Sequence, residues 1–463
     1  MSAYKTMDSC EPLSHNLILT PLLTDLYQLT MLQGYLAGKM NGTAVFEFYA
    51  RRLPPRRSFL LACGLETLLT FIEGMQFSSS EKKYLATAGR FSSELVDYLD
   101  HFKFSGDVYA LPEGTVFFAN EPVIRVVAPI PEAQLLETRL INILHYEILI
   151  ASKAARCSLS TDFRKLLVDF GLRRAHGAEA GLLSSRASFV GGFSGSSNVL
   201  AEYVYGIPIY GTMAHSFIEA HENELEAFLR FARANRENTT LLIDTYDTRR
   251  GAAKAVEAAK ILSGEGIQVR GVRLDSGDLF ELSVDVRKIL DNGGFPNIRI
   301  FVSSSIDEDS IVDLLTRGAP IDGFGVGTKL DTSSDAPYLD SAYKIMEYDE
   351  RPCFKTSEGK ITLPGRKQIF REFKNGFMER DTLGLETEHL NGKPLLEKVM
   401  ENGTRLRPPK ELKTIAAYAR EQLSKLPAYL RGLEAKYSYP VEISSGLDEL
   451  RSSLEKLKQS SGQ

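Results

Sequence analysis

Three shortages narrow what this chain can be. No apolar run approaches the roughly 20 residues needed to cross a bilayer, and the N-terminal stretch lacks the charged-then-apolar pattern of an export signal. A cytoplasmic protein with no membrane partner is expected. Cysteine is scarce: Cys10, Cys63, Cys157 and Cys353 are far apart and form no Cys-x-x-Cys pair. That spacing excludes a zinc knuckle or disulfide framework and leaves reduced thiols that serve in packing. Positive charge is also short, with 55 Lys and Arg against 60 Asp and Glu and a formal net charge of −5. Such a balance offers no basic field to attract a polyphosphate backbone, so nucleic acid is not an expected partner.

What is present is a series of short apolar runs, each ending in a loop of Gly, Ser, Thr, Asp, Arg or His. Ile207–Tyr210 leads into Gly211 to Ser216, and Leu241–Ile243 into Asp244 to Thr248. Val269–Val272 leads into Arg273 to Asp278, Ile298–Val302 into Ser303 to Ser305, and Ile321–Phe324 into Gly325 to Thr328. Between them lie amphipathic stretches such as Gly251 to Leu262. Strands alternating with amphipathic helices imply parallel βα units, in which the loops past the carboxyl ends of the strands gather into one pocket.

At 463 residues the chain exceeds one ordinary core, which tops out at about 250–300 residues. Its texture divides it into an α+β region over residues 1–135, a strand-loop region over 136–341, and a segment over 342–463. The first region opens with a helix candidate over Thr24 to Ala37 and closes with a β-rich stretch from Val108 to Val127. In the third, Ala342 to Tyr348 resumes β texture and suggests a return onto the first region. The tail from Pro408 is helical in pattern, its leucines at three- and four-residue spacing reading as one packed face, and the final Ser-Ser-Gly-Gln is expected to fray.

The loops carry groups of distinct chemistry. Gly325-Val326-Gly327-Thr328 offers backbone N–H groups and a hydroxyl to a phosphate, although glycines after a strand also serve packing. Ser303 to Ser305 is donor-rich, with N-capping as its alternative. In Arg273 to Asp278 an arginine fork can hold a planar carboxylate while a carboxylate can accept from ribose hydroxyls; an internal ion pair is the plainer reading. Asp244 and Asp247, followed by Arg249 and Arg250, form a similar mixed-charge set. His215, one of seven histidines, sits in a strand-end loop as a candidate for proton transfer or phosphoryl acceptance. Arg173 and Arg174, beside Phe170, suit an anion.

Several separated motifs, in one order, resemble the nicotinate phosphoribosyltransferase family, a type II phosphoribosyltransferase group. They are Thr24 to Thr30, Phe170 to Arg174, Gly191-Gly192-Phe193 with Ser196 to Ala201, the Gly211 to Ser216 loop, Arg273 to Asp278 and Gly325 to Thr328. The resemblance runs from about Leu22 to Arg371. It implies an irregular (β/α) barrel domain, a discontinuous α+β N-terminal domain and a helical C-terminal extension. It implies ATP-coupled transfer of phosphoribosyl from 5-phosphoribosyl 1-pyrophosphate to nicotinate, giving nicotinate mononucleotide and pyrophosphate in NAD salvage, with Mg²⁺ as cofactor.

By the same resemblance His215 is phosphorylated by ATP, and His215 and Asp275 are the catalytic pair. Tyr27, Phe170, Thr212, Arg273 and Ser197 would bind nicotinate, Tyr27 reaching across a homodimer interface with shared active sites. Arg173, Ser216, Asp278, Gly325, Gly327 and Thr328 would bind phosphoribosyl pyrophosphate. The loop Gly195 to Asn198 is neutral where nicotinamide-using relatives carry Asp, which favours the acid. Ser194 and Ser196 replace Asp and Thr of many relatives, and Ser305 stands where Asn or Asp is common. The alternatives are a relative acting on quinolinate or nicotinamide, and a catalytically silent nucleotide-binding homologue.

Overall fold

Alternation of apolar and short polar segments between residues 166 and 326 builds a six-stranded parallel sheet in the computed structural model, which describes residues 20–355 and 362–461. Its strands are β1 (Leu166–Asp169), β2 (Gly195–Ser196), β3 (Thr240–Leu242), β4 (Gly271–Leu274), β5 (Arg299–Val302) and β6 (Gly323–Val326). They lie in the order β2-β1-β6-β5-β4-β3. Parallel pairing needs a crossover between neighbours, and the amphipathic segments supply it. Of these, α6 (Thr248–Gly264) and α7 (Leu279–Asn292) start where Asp247 and Asp278 accept hydrogen bonds from N–H groups of their first turns. The buried faces of both helices, Ala252, Ala255, Ala259, Val286 and Leu290 among them, join the same core as the strand residues Leu241, Val272 and Ile300.

The expected strand at Ile207–Tyr210 contracts to a single parallel bridge between Ile209 and Ser196. Pro208 has no N–H to give a ladder, and only its carbonyl takes part, accepting from Ser196 N at 3.1 Å. Asn238 Nδ2 donates to Gly211 O at 3.0 Å, tying this segment to the residues just before β3.

A second, largely antiparallel sheet of seven strands lies beside the parallel one. Its centre is Thr43–Ala50, flanked by Pro122–Pro129 on one side and Ser341–Tyr348 on the other. Asp107–Ala110 and Glu397–Glu401 extend it. A four-stranded sheet around Lys367–Lys374 and Phe377–Leu385 completes the β content of the C-terminal third, and the tail carries helices Leu412–Ser424 and Ser445–Ser461. The first helix, α1 (Leu26–Ala37), begins two residues later than its sequence pattern, because Asp25 takes the extended N-cap conformation. The longest helix, α2 (Glu137–Ser160), is buried along most of its length and packs against α3 (Ala178–Val190).

Cys63 and Cys157 are buried free thiols, and Cys353 is half-exposed. Cys10 and the last residues of the expected frayed tail lie outside the described residues. No described helix is long and apolar enough to cross a membrane.

Candidate active site at the strand ends

Parallel register decides which residues share the inner face. Leu242 is level with Arg273, Arg273 with Phe301, and Phe301 with Gly323. Because side chains alternate along a strand, residues two apart climb the same face. Gly271, Arg273 and Asp275 therefore ascend from β4, Arg299, Phe301 and Ser303 from β5, and Gly323, Gly325 and Gly327 from β6. The bottom rung of this ladder is small or basic, the middle holds an arginine among aromatic and aliphatic groups, and the top holds carboxylate and hydroxyl.

Two cavities follow the ladder. The upper one, about 280 Å³, is lined by Phe170, Arg173, Arg174, Asp275, Ser303 to Ile306, Gly325, Gly327, Thr328 and Lys329. The lower, about 510 Å³, runs from Phe170 and Thr212 past Gly271, Phe301 and Gly323 to Arg164, Arg270 and Arg299 at the amino ends of the strands. Phe170 belongs to both, its ring tilted against Phe301 with centroids 5.7 Å apart. A Cβ at Gly325 would stand 2.6 Å from the Phe170 ring, and one at Gly327 would stand 3.0 Å from the Phe170 carbonyl oxygen. Both readings of this glycine loop thus hold together: the glycines admit Phe170 and also leave the loop bare toward the upper cavity.

The charged groups at the rungs are coupled. Asp275 Oδ1 accepts from Ser303 Oγ at 2.6 Å, and its Oδ2 faces His215 Nε2 at 3.9 Å. His215 opens the short helix His215–Glu219, and its Nδ1 shares a 3.1 Å hydrogen bond with Thr245 Oγ1. Asp244 Oδ2 accepts from Asp275 N at 2.8 Å and Ser276 Oγ at 2.6 Å, while its buried Oδ1 has no protein partner. Arg273 donates through Nη2 to Met213 O at 3.1 Å, and its buried Nε has no partner. Burial pulls the Arg273 guanidinium below its ordinary pKa, Asp275 and Asp244 oppose that, and Arg173 adds to it. A cation held partly out of water with donors to spare is a receptor for a carboxylate.

The sequence-selected residues divide by location. Phe170, Arg173, Asp275, Gly325, Gly327 and Thr328 line the upper cavity, and Arg174 lines it as well. Thr212 lines the lower one. Arg273 stands between them by its strand position, and His215 reaches the site through Asp275.

The others stand apart from both cavities. Asp278 is exposed and caps α7, accepting from Phe280 N and Glu281 N, both at 3.0 Å. Ser216 is exposed on the helix that His215 begins. Ser197 sits at the end of β2, its N–H donating to Asp169 O at 2.8 Å. Tyr27 lies 45% exposed on α1.

Ser304 and Ser305 have φ of 88° and 53°. Asn and Asp occupy that left-handed region more readily than Ser does. The serines do not cap the following helix, since Asp307 does so. Sequence reasoning passed over Thr245 and Lys329. Lys329 follows the glycine loop directly and pairs with Asp307 at 2.5 Å; its place next to a phosphate-type loop was the available signal.

Comparison with known proteins identifies the family. The profile of the nicotinate phosphoribosyltransferase N-terminal domain matches residues 22–145, that of the nicotinate phosphoribosyltransferase family residues 166–361, and that of the family's C-terminal domain residues 385–451. The chain is 49% identical over 425 residues to nicotinate phosphoribosyltransferase pncB2 of Mycobacterium tuberculosis, covering 91% of each. It is 36% identical over 456 residues to nicotinate phosphoribosyltransferase of Bacillus subtilis, covering 91% and 92%. Among solved structures, human nicotinic acid phosphoribosyltransferase superposes with a TM-score of 0.83 at 29% identity, covering 93% of this chain and 99% of that one. Nicotinate-nucleotide pyrophosphorylase from Pyrococcus furiosus gives 0.72 at 28% identity, covering 88% and 95%. With three consecutive domain profiles matched along its length and a 49% identical relative aligned over most of it, the chain belongs to the nicotinate phosphoribosyltransferase family.

Proposed function

We propose that the chain transfers phosphoribosyl from 5-phosphoribosyl 1-pyrophosphate to nicotinate in the groove between the two cavities, with ATP hydrolysis coupled through His215. The observation that carries this reading is Arg273, a half-buried cation with unused donors, one rung below Asp275. Nicotinate would lie with its carboxylate on Arg273 and its ring against Phe170, beside Thr212. The phosphoribosyl group would take the upper cavity, its phosphate on the bare Gly325 to Thr328 loop and the arginine turn, its ribose hydroxyls on Asp275. As pyrophosphate departs, positive charge grows on the sugar, and the Asp275 carboxylate is positioned to stabilise it while the pyridine nitrogen bonds to the anomeric carbon.

His215 Nε2 faces Asp275 Oδ2 at 3.9 Å, beyond hydrogen-bond distance, while Nδ1 is engaged by Thr245. The γ-phosphoryl of ATP would pass to the imidazole with ADP leaving, and water would later cleave the P–N bond to release phosphate. Asp244 and Asp275 are oxygen donors of the kind Mg²⁺ takes, and the unpartnered Asp244 Oδ1 fits such an ion. When bound, Mg²⁺ supplies charge neutralisation for the pyrophosphate.

A homodimer with shared sites is supported by two unpartnered apolar faces. One is Leu26, Tyr27 and Met31 on α1, and the other is Val199, Leu200, Tyr203 and Val204 on the helix Val199–Tyr205. Tyr27 contacts neither cavity of its own chain, as a ring lent to a partner's site would not. Closure of the parallel sheet into an irregular barrel is supported by the Ser196–Ile209 bridge and the Asn238–Gly211 hydrogen bond, which link the two sheet edges through the 207–211 segment. A reducing cytoplasmic setting suits the free thiols Cys63 and Cys157.

The test is product formation with nicotinate, nicotinamide and quinolinate, each with and without ATP, together with mass spectrometry for acid-labile phosphate on the His215 peptide. Nicotinate mononucleotide formed faster with ATP, and a phosphorylated His215, are expected; turnover of quinolinate alone or no His215 phosphate would overturn the reading.

A further inference from the structure

Two carboxyl groups meet at Gly171, one accepting from its N–H and the other lying over its Cα, with no cation paired to either among the described residues. Asp169 ends β1 and Asp331 ends the short helix Thr328–Asp331 that follows the glycine loop, and both are wholly buried. Asp169 is well supplied: Oδ1 accepts from Gly171 N at 2.8 Å, and Oδ2 accepts from Ser185 Oγ and Ser196 Oγ, both at 2.9 Å. Neither oxygen of Asp331 has a hydrogen-bond partner of ordinary geometry, the Ser184 hydroxyl approaching without making one. Its carboxyl fills the space over Gly171 so closely that a Cβ there would stand 2.1 Å from Asp331 Cγ. Two buried carboxylates in this position would repel; one proton between them turns the contact into a hydrogen bond.

We propose that Asp331 is a positioning residue, its neutral carboxyl donating to the Asp169 carboxylate and so clamping the arginine turn (Phe170–Arg174) to the phosphate loop (Gly325–Thr328). The backbone runs directly from Asp169 into Phe170, Arg173 and Arg174, and from Thr328 into Asp331, so this one bond sets the spacing of the donors that line the upper cavity. Tyr146 Oη strengthens the same junction, its single proton shared between Asp331 O at 2.9 Å and Ala180 O at 3.1 Å.

Burial first, then the Asp169 charge, raises the Asp331 carboxyl well above the usual carboxylate range, with Ser184 opposing; burial also raises Asp169. The bridge needs one shared proton, so it is complete between the two titrations and is lost as pH climbs through the raised Asp331 value. Other groups around it do not replace that proton. Tyr146 on α2 is held protonated by burial, Glu147 turns to Arg186, α3 presents Ser184 and Ser185, and Arg173 and Arg174 of the turn are exposed.

The inference rests on the upper cavity being the phosphoribosyl pyrophosphate site, and the experiment separates the two. Steady-state kinetics with nicotinate saturating would compare Asp331→Asn, which keeps a donor, with Asp331→Val, which has none, and Gly171→Ala, which displaces the carboxyl without altering charge. The Val and Ala variants are expected to raise KM for phosphoribosyl pyrophosphate about tenfold or more with kcat within about twofold, and the Asn variant to stay within about threefold. The wild type should show that KM rising at alkaline pH, and Asp331→Asn should remove the rise. A wild-type KM and pH profile in Asp331→Val, or an Asn variant as impaired as the Val variant, would overturn the clamp. If Asp331→Val does not fold, the pH profile of Asp331→Asn decides: a retained alkaline rise overturns the proposal and its loss supports it. Thr328→Ala is the control. Should it leave the KM unchanged, the site reading falls and takes the clamp with it; should only the Asp331 and Gly171 variants leave it unchanged, the clamp alone falls.

Discussion

The charges that face the two cavities and those buried beneath them are handled in opposite ways. In the interior, opposite charges meet in close ion pairs. Arg186 bonds Glu113 at 2.7 Å and Glu147 at 2.8 Å, and Lys153 bonds Glu308 and Asp335, both at 2.8 Å. Arg57 holds Asp335 from the other side at 3.0 Å, and Arg156 holds Glu308 at 3.1 Å. At the strand ends Arg273 has one carbonyl partner, Asp244 keeps an empty oxygen, and Arg173 and Arg174 are exposed. Paired charges knit the antiparallel region to the parallel sheet, whereas Arg273 and Asp244 at the strand ends have no ion-pair partner among the described residues. The distinction also disposes of a tempting metal site: Cys63, Glu113 and Glu147 lie close enough to ligate an ion, yet Arg186 already supplies their positive charge.

This contrast can be broken or sharpened by substitution. The largest effect is expected from Arg186→Leu, which leaves Glu113 and Glu147 buried and uncompensated; a loss of about 3–5 kcal/mol in chemical or thermal unfolding is expected. Arg273→Leu should do the reverse, lowering kcat/KM for nicotinate about a hundredfold with an unfolding midpoint near that of the wild type. Equal damage to stability from both variants would erase the distinction.

Acid should discriminate the regions as well. Burial pushes the Asp335 carboxyl up, but Arg57 and Lys153 outweigh it and hold the group at about 2. A depressed carboxylate stabilises the fold above its unfolded pKa, and that contribution is lost as pH falls toward the depressed value. Asp335→Asn should thus flatten the decline in melting temperature between about pH 4 and pH 2. The smallest effect belongs to the exposed pair Arg56–Asp309, where Arg56→Ala should cost less than about 1 kcal/mol, measured by the same melts.

The strand-end loops were legible in the sequence because each couples an apolar run to a cluster of donors, and a parallel sheet brings such ends together. Asp275, Arg273 and His215 could be selected for that reason. Asp278 was legible only as a carboxylate at a helix start, which serves the cap as well as it serves a sugar; in the structure it caps the helix. Asp331 and Thr245 were not legible at all. Their partners, Asp169 and His215, lie far away in sequence, and nothing local marks a carboxyl as neutral or a hydroxyl as the support of an imidazole. Ile207–Tyr210 read as a full strand because its residues are apolar, and one missing N–H at Pro208 reduced it to a bridge.

The ladder of residues two apart has a further effect on how this site can change. Because Gly271, Arg273 and Asp275 ascend one face, a single inserted or deleted residue inside that strand would turn the cation and the acid outward together and bring their neighbours inward. Length variation is therefore excluded from the strands and confined to the far side of the helices, and substrate preference can drift only by replacing one side chain at a time on a fixed scaffold.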